Sequence, residues 1–186
     1  WYSIAGVRVG ANAGRYKSRT DSVNVGYSAG QYSGSYNVAF GYFSSQSSGS
    51  SSDFTISFGT ESRRYGSNTD FIISLGYRST FSYGSSNAIA LGVETIFTGS
   101  NGSSIIAIGK SAGRDSVNSN NILIGTEAGK SHPRSSNVII GYQAGETPSN
   151  LSSSGRNVLI GYQAGRIYCG TNSVSIGKNA GSNTMY

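Results

Sequence analysis

Three glutamates, Glu61, Glu94 and Glu127, hold one place in a recurring pattern, two residues after Gly59, Gly92 and Gly125. Carboxylate pairs hydrolyse glycosidic bonds when they stand about 5 to 9.5 Å apart. If each recurrence adds one strand at about 4.8 Å, these glutamates lie two strands apart, roughly 10 Å. That is the edge of the range, and no other feature supports hydrolysis, so we expect no catalytic residue and no enzymatic activity. His132 is the only histidine and stands before Pro133 in a polar stretch. Without a second histidine or a nearby cysteine it makes neither a metal site nor a general base, so we expect no metal and no cofactor. Cys169 is the only cysteine, which rules out an intrachain disulfide. The recurrent G-x-x-A-G could pass for a phosphate loop, but such a loop sits once between a strand and a helix. Here it recurs along the chain and nothing reads as a helix.

Binding chemistry has more candidates. Lys and Arg number 14 against 8 Asp and Glu, a formal charge of +6. Arg15, Arg64, Arg114, Lys130 and Arg166 share one position, five residues after the recurring glycine. They are a candidate stripe for an anionic polysaccharide, a lipopolysaccharide or another acidic partner. The same ladder could be a solvated edge that hinders aggregation, which we favour because Gln31, Gln46, Phe81, Phe97, Glu146 and Ser182 interrupt it. No recognition motif accompanies the charge, so nucleic acid is not expected. Tyr27, Tyr42, Tyr77, Tyr142 and Tyr162 directly follow the glycine; they could stack on sugar rings, rigidify the molecule or meet a neighbouring subunit. Asn101 and Asn150 begin glycosylation acceptor triplets.

These positions share a framework. Gly10, Gly26, Gly41, Gly59, Gly76, Gly92, Gly109, Gly125, Gly141, Gly161 and Gly177 recur at spacings of 15 to 20 residues, most of them 16 or 17. A short period sustained end to end is the mark of a solenoid. Val, Ile, Tyr and Phe carry the apolar content, with much Gly, Ser and Asn, which favours strands and turns. We therefore expect an all-β fold: one β-solenoid domain over 1–186, a single-chain β-roll of about eleven coils with a period near 16 residues. At strand spacing it would be a rod about 50 Å long. The longer spacings place surface loops around Ser47–Ser52 and Pro148–Gly155.

The columns around the glycine suggest faces. The residue three before it is always Val or Ile, and the residue one before it is always apolar. Two positions one residue apart share a side of a strand. The expectation is that these two columns are inward ladders. The residue between them should then face outward, where Leu123, Ile139 and Leu159 would form an apolar patch, a candidate oligomer interface. The residue three after the glycine is always small, as at Ala112 and Ala128, where an opposite wall must pass close. The next residue is often Gly, as at Gly113 and Gly129, consistent with a positive-φ corner. Ser45, Arg63, Thr80 and Ile96 break that rule, so their corners must differ or tolerate a Cβ. No apolar run approaches the roughly 20 residues of a membrane span.

Segments such as Asn137-Val138-Ile139-Ile140-Gly141-Tyr142-Gln143-Ala144-Gly145 and Asn157-Val158-Leu159-Ile160-Gly161-Tyr162-Gln163-Ala164-Gly165 resemble the head repeats of trimeric autotransporter adhesins, and also the repeat regions of phage tail fibres. The resemblance covers essentially the whole chain. It implies a left-handed β-roll, a parallel homotrimer, and an extracellular role in attachment or as a fibre shaft, on a cell surface or a virion, with a cell-surface glycan or protein as receptor. The chain would then be a fragment of a longer fibrous protein. A polysaccharide-binding or -degrading tailspike-like solenoid is the alternative; tailspikes have longer coils and clustered carboxylates. An ice-binding solenoid would need a regular Thr-rich column, which is absent.

Overall fold

The computed structural model describes residues 6–15, 21–32, 36–46, 54–64, 71–80, 86–96, 103–115, 119–131, 135–147, 155–167 and 170–182. Its elements are β1 (Gly6–Val9), β2 (Ser22–Val25), β3 (Asn37–Phe40), β4 (Thr55–Phe58), β5 (Ile72–Leu75), β6 (Ser86–Leu91), β7 (Ser103–Ile108), β8 (Asn121–Ile124), β9 (Val138–Ile140), β10 (Val158–Ile160) and β11 (Val174–Ile176). All eleven pair in parallel, in chain order, in one sheet. The fold is an all-β solenoid with a period of about 16 residues, and no helix occurs among the described residues.

Register follows the glycine alignment. Val23 pairs with Val38, Val38 with Ile56, and Ile106 with Ile122. The two longer connections leave it undisturbed, since Val138 still pairs with Val158. The expected loops themselves, apart from Gly155, lie outside the described residues.

Each strand ends on the recurring glycine, whose φ runs from 117° to 139°. A side chain there would be strained by conformation and blocked by the next coil: a Cβ on Gly109 would meet the Gly125 carbonyl oxygen at 2.6 Å. Backbone therefore touches backbone along this edge. We predict that Gly109→Ala lowers stability by more than about 2 kcal/mol, measured as a fall in melting midpoint. Lys110→Ala, at an exposed neighbour, should leave the midpoint in place.

The expected corner four residues after the glycine is present, with φ between 59° and 66° at Gly14, Gly30, Gly113, Gly129, Gly145, Gly165 and Gly181. Ser45 adopts the same conformation despite its Cβ, at φ 51°. Arg63, Thr80 and Ile96 take the other solution and join in parallel bridges, Arg63 to Thr80 and Thr80 to Ile96. A further left-handed residue stands two after the glycine in every coil, from Asn12 and Ser28 to Gln163 and Asn179, and it is never Gly.

The interior reverses the expected facing of the strands. Asn24, Ala39, Ser57, Ser74, Ala90, Ala107, Leu123, Ile139 and Leu159, the column between the two Val/Ile ladders, are all buried. The ladders themselves are half-buried or exposed, as the burial pattern of β9 and β10 records. Leu123, Ile139 and Leu159 are therefore core residues, and the expected interface patch on them is corrected. The reason is width. One coil folds back on itself, so its cross-section admits one layer of mostly small side chains, and bulky branched residues go to the open face.

In six coils the inner residue and the corner compensate each other in size, while Ala39 with Ser45 and Ala107 with Gly113 are small at both. Opposite Leu123, Ile139 and Leu159 stand Gly129, Gly145 and Gly165, where a Cβ would lie 2.7 to 2.8 Å from those side chains. Where the corner is Arg63, Thr80 or Ile96, the inner residue shrinks to Ser57, Ser74 or Ala90. The small residue three after the glycine completes the wall, with Ala29, Ala112, Ala128, Ala144 and Ala164 fully buried.

Polarity also changes along the interior. The early coils enclose Ser22, Asn24, Asn37, Thr55, Ser62 and Ser74, and the later ones a cluster from Ile72 and Ala88 to Leu159 and Ala164. The polar half is cross-bonded: Asn37 Nδ2 donates to Asn24 Oδ1 at 2.7 Å, and Ser45 Oγ and Thr55 Oγ1 both donate to Asn37 Oδ1. Even the apolar half keeps an asparagine ladder at its strand entrances. Asn121, Asn137 and Asn157 each accept, through Oδ1, the backbone N–H of Asn137, Asn157 and Ser173 in the next coil, at 2.9 to 3.0 Å. These bonds satisfy buried amides that would otherwise be desolvated at a cost of about 1–3 kcal/mol each.

Candidate functional site: an apolar sheet face and a charged edge

Strand alternation places the Val/Ile ladders on the outer face of the sheet. Among them Ile56, Phe58, Leu75 and Ile122 are between 36% and 41% exposed within the chain. A parallel sheet is normally covered on both faces. Here one face closes the coil and the other presents Val, Ile, Leu and Phe to solvent along the whole solenoid. This face consists of residues expected to form the core.

One stretch of it is different. In coils three to five the residue entering the strand, five before the glycine, is Tyr36, Phe54 or Phe71; elsewhere it is Asp21, Asn87, Ser104, Asn120, Ser136, Arg156 or Asn172. All ten are left-handed. Tyr36 stacks on Phe54 with ring centroids 4.8 Å apart, and Phe54 on Phe71 at 5.0 Å. With Val38, Ile56, Ile73, Asn87 and Ile89 they line an open groove of about 510 Å³.

The charged edge lies beyond the glycine bend. Of the candidate anion stripe, Arg64 Nη1 donates to Glu61 at 2.9 Å, Arg114 Nη1 to Glu94 at 3.0 Å, and Lys130 Nζ to Glu127 at 2.8 Å. Arg166 Nε donates to Glu146 at 3.1 Å, and Arg15 Nη1 to the Asn12 side-chain carbonyl at 2.8 Å. The structure thus brings the basic column beside the glutamates, and each cation faces an acceptor within the edge. Four of the five cations are neutralised by carboxylates of the same edge, and Arg15 meets a neutral amide. These pairs are half-exposed, so each contributes about 0–1 kcal/mol. Arg63, singled out in the sequence only as an exception to the corner glycine, is buried at that corner, and desolvation pushes its guanidinium pKa down to about 10.

The glutamates sit in surroundings that favour ionisation. For Glu61, burial raises the carboxyl, but the hydrogen bond from Arg78 and the charges of Arg64 and Arg78 outweigh it and leave it below its ordinary value. For Glu127, the hydrogen bonds from Lys130 and then Gln143 hold the carboxyl low. A glycosidase acid needs the opposite shift. A lowered carboxyl contributes stability that is present above its unfolded value and lost as pH falls through the folded one. We therefore predict that acidification below about pH 4.5 destabilises the chain, and that Glu127→Gln flattens that part of the pH–stability profile. Melting midpoints between pH 3 and 7 measure it; identical profiles would show that the Glu127 pairing contributes nothing to stability.

Tyrosines run alongside. Tyr27 stacks on Tyr42 at 5.5 Å and Tyr142 on Tyr162 at 5.3 Å. Phe43 meets both Tyr27 and Tyr42 edge to face. Arg78 stands 5.0 Å over the Tyr77 ring. Ring faces turned towards each other along the rod stiffen it, while the tyrosines remain close to half exposed. Beside them Gln163 Nε2 donates to Gln143 Oε1, and Gln143 Nε2 to Glu127 Oε2, each at 2.8 Å.

Asn101, Asn150, His132, Cys169, Phe81 and Phe97 lie outside the described residues. Among the described residues no group of three or more His, Cys, Asp or Glu is placed to hold a metal ion, and no helix is long and apolar enough to cross a membrane. In comparison with known proteins, no family model, no curated protein and no solved structure matches the chain.

Proposed function

We propose that the chain is a structural and adhesive fibre segment, working outside the cell or on a virion, in which three parallel copies cover one another's outer sheet faces. The observation that carries this is the uninterrupted apolar outer face. Apolar surface removed from water stabilises by about 25 cal/mol per Å², and a face of this length offers every coil to a partner. The resemblance of the Asn-Val-Ile-Ile-Gly-Tyr-Gln-Ala-Gly segments to adhesin heads and fibre repeats supports the number three and the parallel arrangement. A coil closed by backbone contacts, with stacked tyrosines and self-neutralised ion pairs on its other edge, suits a rigid spacer that presents an attachment surface to a glycan or protein receptor.

A tailspike-like hydrolase is the weaker reading, because Glu61 and Glu127 are held ionised and both are engaged by cations. The test is the mass in solution. Light scattering should give three times the 19.4 kDa chain mass, and a strictly monomeric chain at high micromolar concentration would overturn the proposal.

A further inference from the structure

A face made of the same two ladders in every coil has a weakness. Sliding one copy along another by one coil, about 4.8 Å, brings Val and Ile against Val and Ile again. Burial alone does not set the register. Any assembly through this face needs a feature that is not repeated.

The face has one. Only coils three to five carry the left-handed aromatics Tyr36, Phe54 and Phe71 at the strand entrance. A bulky residue in that conformation costs roughly 1–2 kcal/mol, and Phe54 and Phe71 are left about half exposed. The left-handed conformation is common to this position in the other coils, so what sets these three apart is a contiguous group of rings left in solvent, and contiguous exposed apolar surface marks an interaction site. At the other margin of the same face, four residues along the strand and so about 13 Å away, the ladder is aromatic in coils three and four: Phe40 and Phe58 stack with centroids 4.8 Å apart. In the other coils that position is Val, Leu or Ile. One margin therefore bears an aromatic-lipped groove and the opposite margin an aromatic ridge, at the same height on the rod.

We infer that the Phe40–Phe58 ridge of one copy seats in the Tyr36–Phe54–Phe71 groove of the next and locks the copies in axial register. This rests on the association proposed above. A groove and a ridge on opposite margins make a head-to-tail contact around the axis, and equal height lets that contact close into a ring without an axial step. An antiparallel pair would place the groove against the later coils, whose margin carries no ring. The occupant is thus a second copy in parallel orientation, with the aromatic residues discriminating between registers that the ladders leave equal.

The test measures register separately from mass. A Cys169→Ser chain with one spin label at Lys110→Cys, an exposed position beyond the glycine bend and off the sheet face, is compared with the same chain carrying Phe54→Ser and Phe71→Ser. The parent should give one narrow inter-subunit distance. The variant should keep the oligomer mass and show a broadened or multiple distribution with steps of about one coil. Phe58→Ala, altering the ridge, should do the same. A monomeric parent would sink the association itself. An oligomer whose distances stay narrow in both variants would keep the association and overturn the lock. Loss of the β-sheet circular dichroism signal in both variants would assign these rings to folding and also overturn it.

Discussion

Ile139→Asp should unfold the later coils, while Ile140→Asp, one residue along the same strand, should leave the secondary structure of the chain intact. Ile139 is fully buried and its Cδ1 faces Gly145; Ile140 is half-buried on the outer face. An ionised carboxylate in the apolar interior has no partner among Leu123, Leu159 and Ala144, and the expected loss exceeds about 4 kcal/mol. In a solenoid the damage spreads by contact, because each coil is stabilised by its neighbours. Circular dichroism and thermal melting decide it. If Ile140→Asp lost its sheet signal as Ile139→Asp does, the inner and outer faces would be wrongly assigned.

The second large effect is on association. Ile124→Lys combined with Ile140→Lys places two charges per copy on adjacent coils of the outer face. In a threefold assembly six charges would enter the interface, each costing several kcal/mol if desolvated, enough to shift the protein to monomer. Since both positions face solvent in the lone chain, its sheet signal should persist, weakened only by the lost partners. Light scattering reads the mass directly, and an unchanged oligomer would exclude this face as the interface.

Much of this fold was legible in the sequence. The glycine spacing predicts one strand per repeat, and the observed pairing follows it without a slip, even across the two longer connections. The positive-φ corners at Gly113 and Gly129 follow from the absence of a Cβ, and the two alternatives expected where a Cβ is present occur at Ser45, which tolerates it, and at Arg63, whose corner differs. The facing of the strands was not legible from alternation, because a period of two is symmetric: it shows that Val138 and Ile140 share a side without saying which side is in. The usual assumption that branched residues seek the interior then chose wrongly. The signal that could have chosen correctly was volume. Leu123, Ile139 and Leu159 each stand six residues before a Gly, and Ser57, Ser74 and Ala90 six before Arg63, Thr80 and Ile96, a trade that only residues facing each other across a narrow space have reason to make. The charged edge was half legible: the basic column and the glutamates were each found, and Arg64 with Glu61 and Lys130 with Glu127 pair locally, three residues apart, but Arg114 meets Glu94 and Arg166 meets Glu146 across coils. The left-handed residues such as Glu61 and Glu127 carry no composition signal at all.

That exchange of volume within a single coil has a genetic consequence. In the later, apolar coils, a coil that fills its own cross-section asks of its neighbours little beyond the common hydrogen-bond register, the glycine edge and the asparagine ladder. Duplicating or deleting a whole period there keeps each inner residue with its own corner, whereas recombination between the inner residue and its corner, six positions later, would set a large inner residue such as Leu123 against a large corner such as Ile96. Unequal crossing-over in such a gene changes the length of the rod in steps of one coil, and the productive breakpoints are those in the connections between a corner and the next strand.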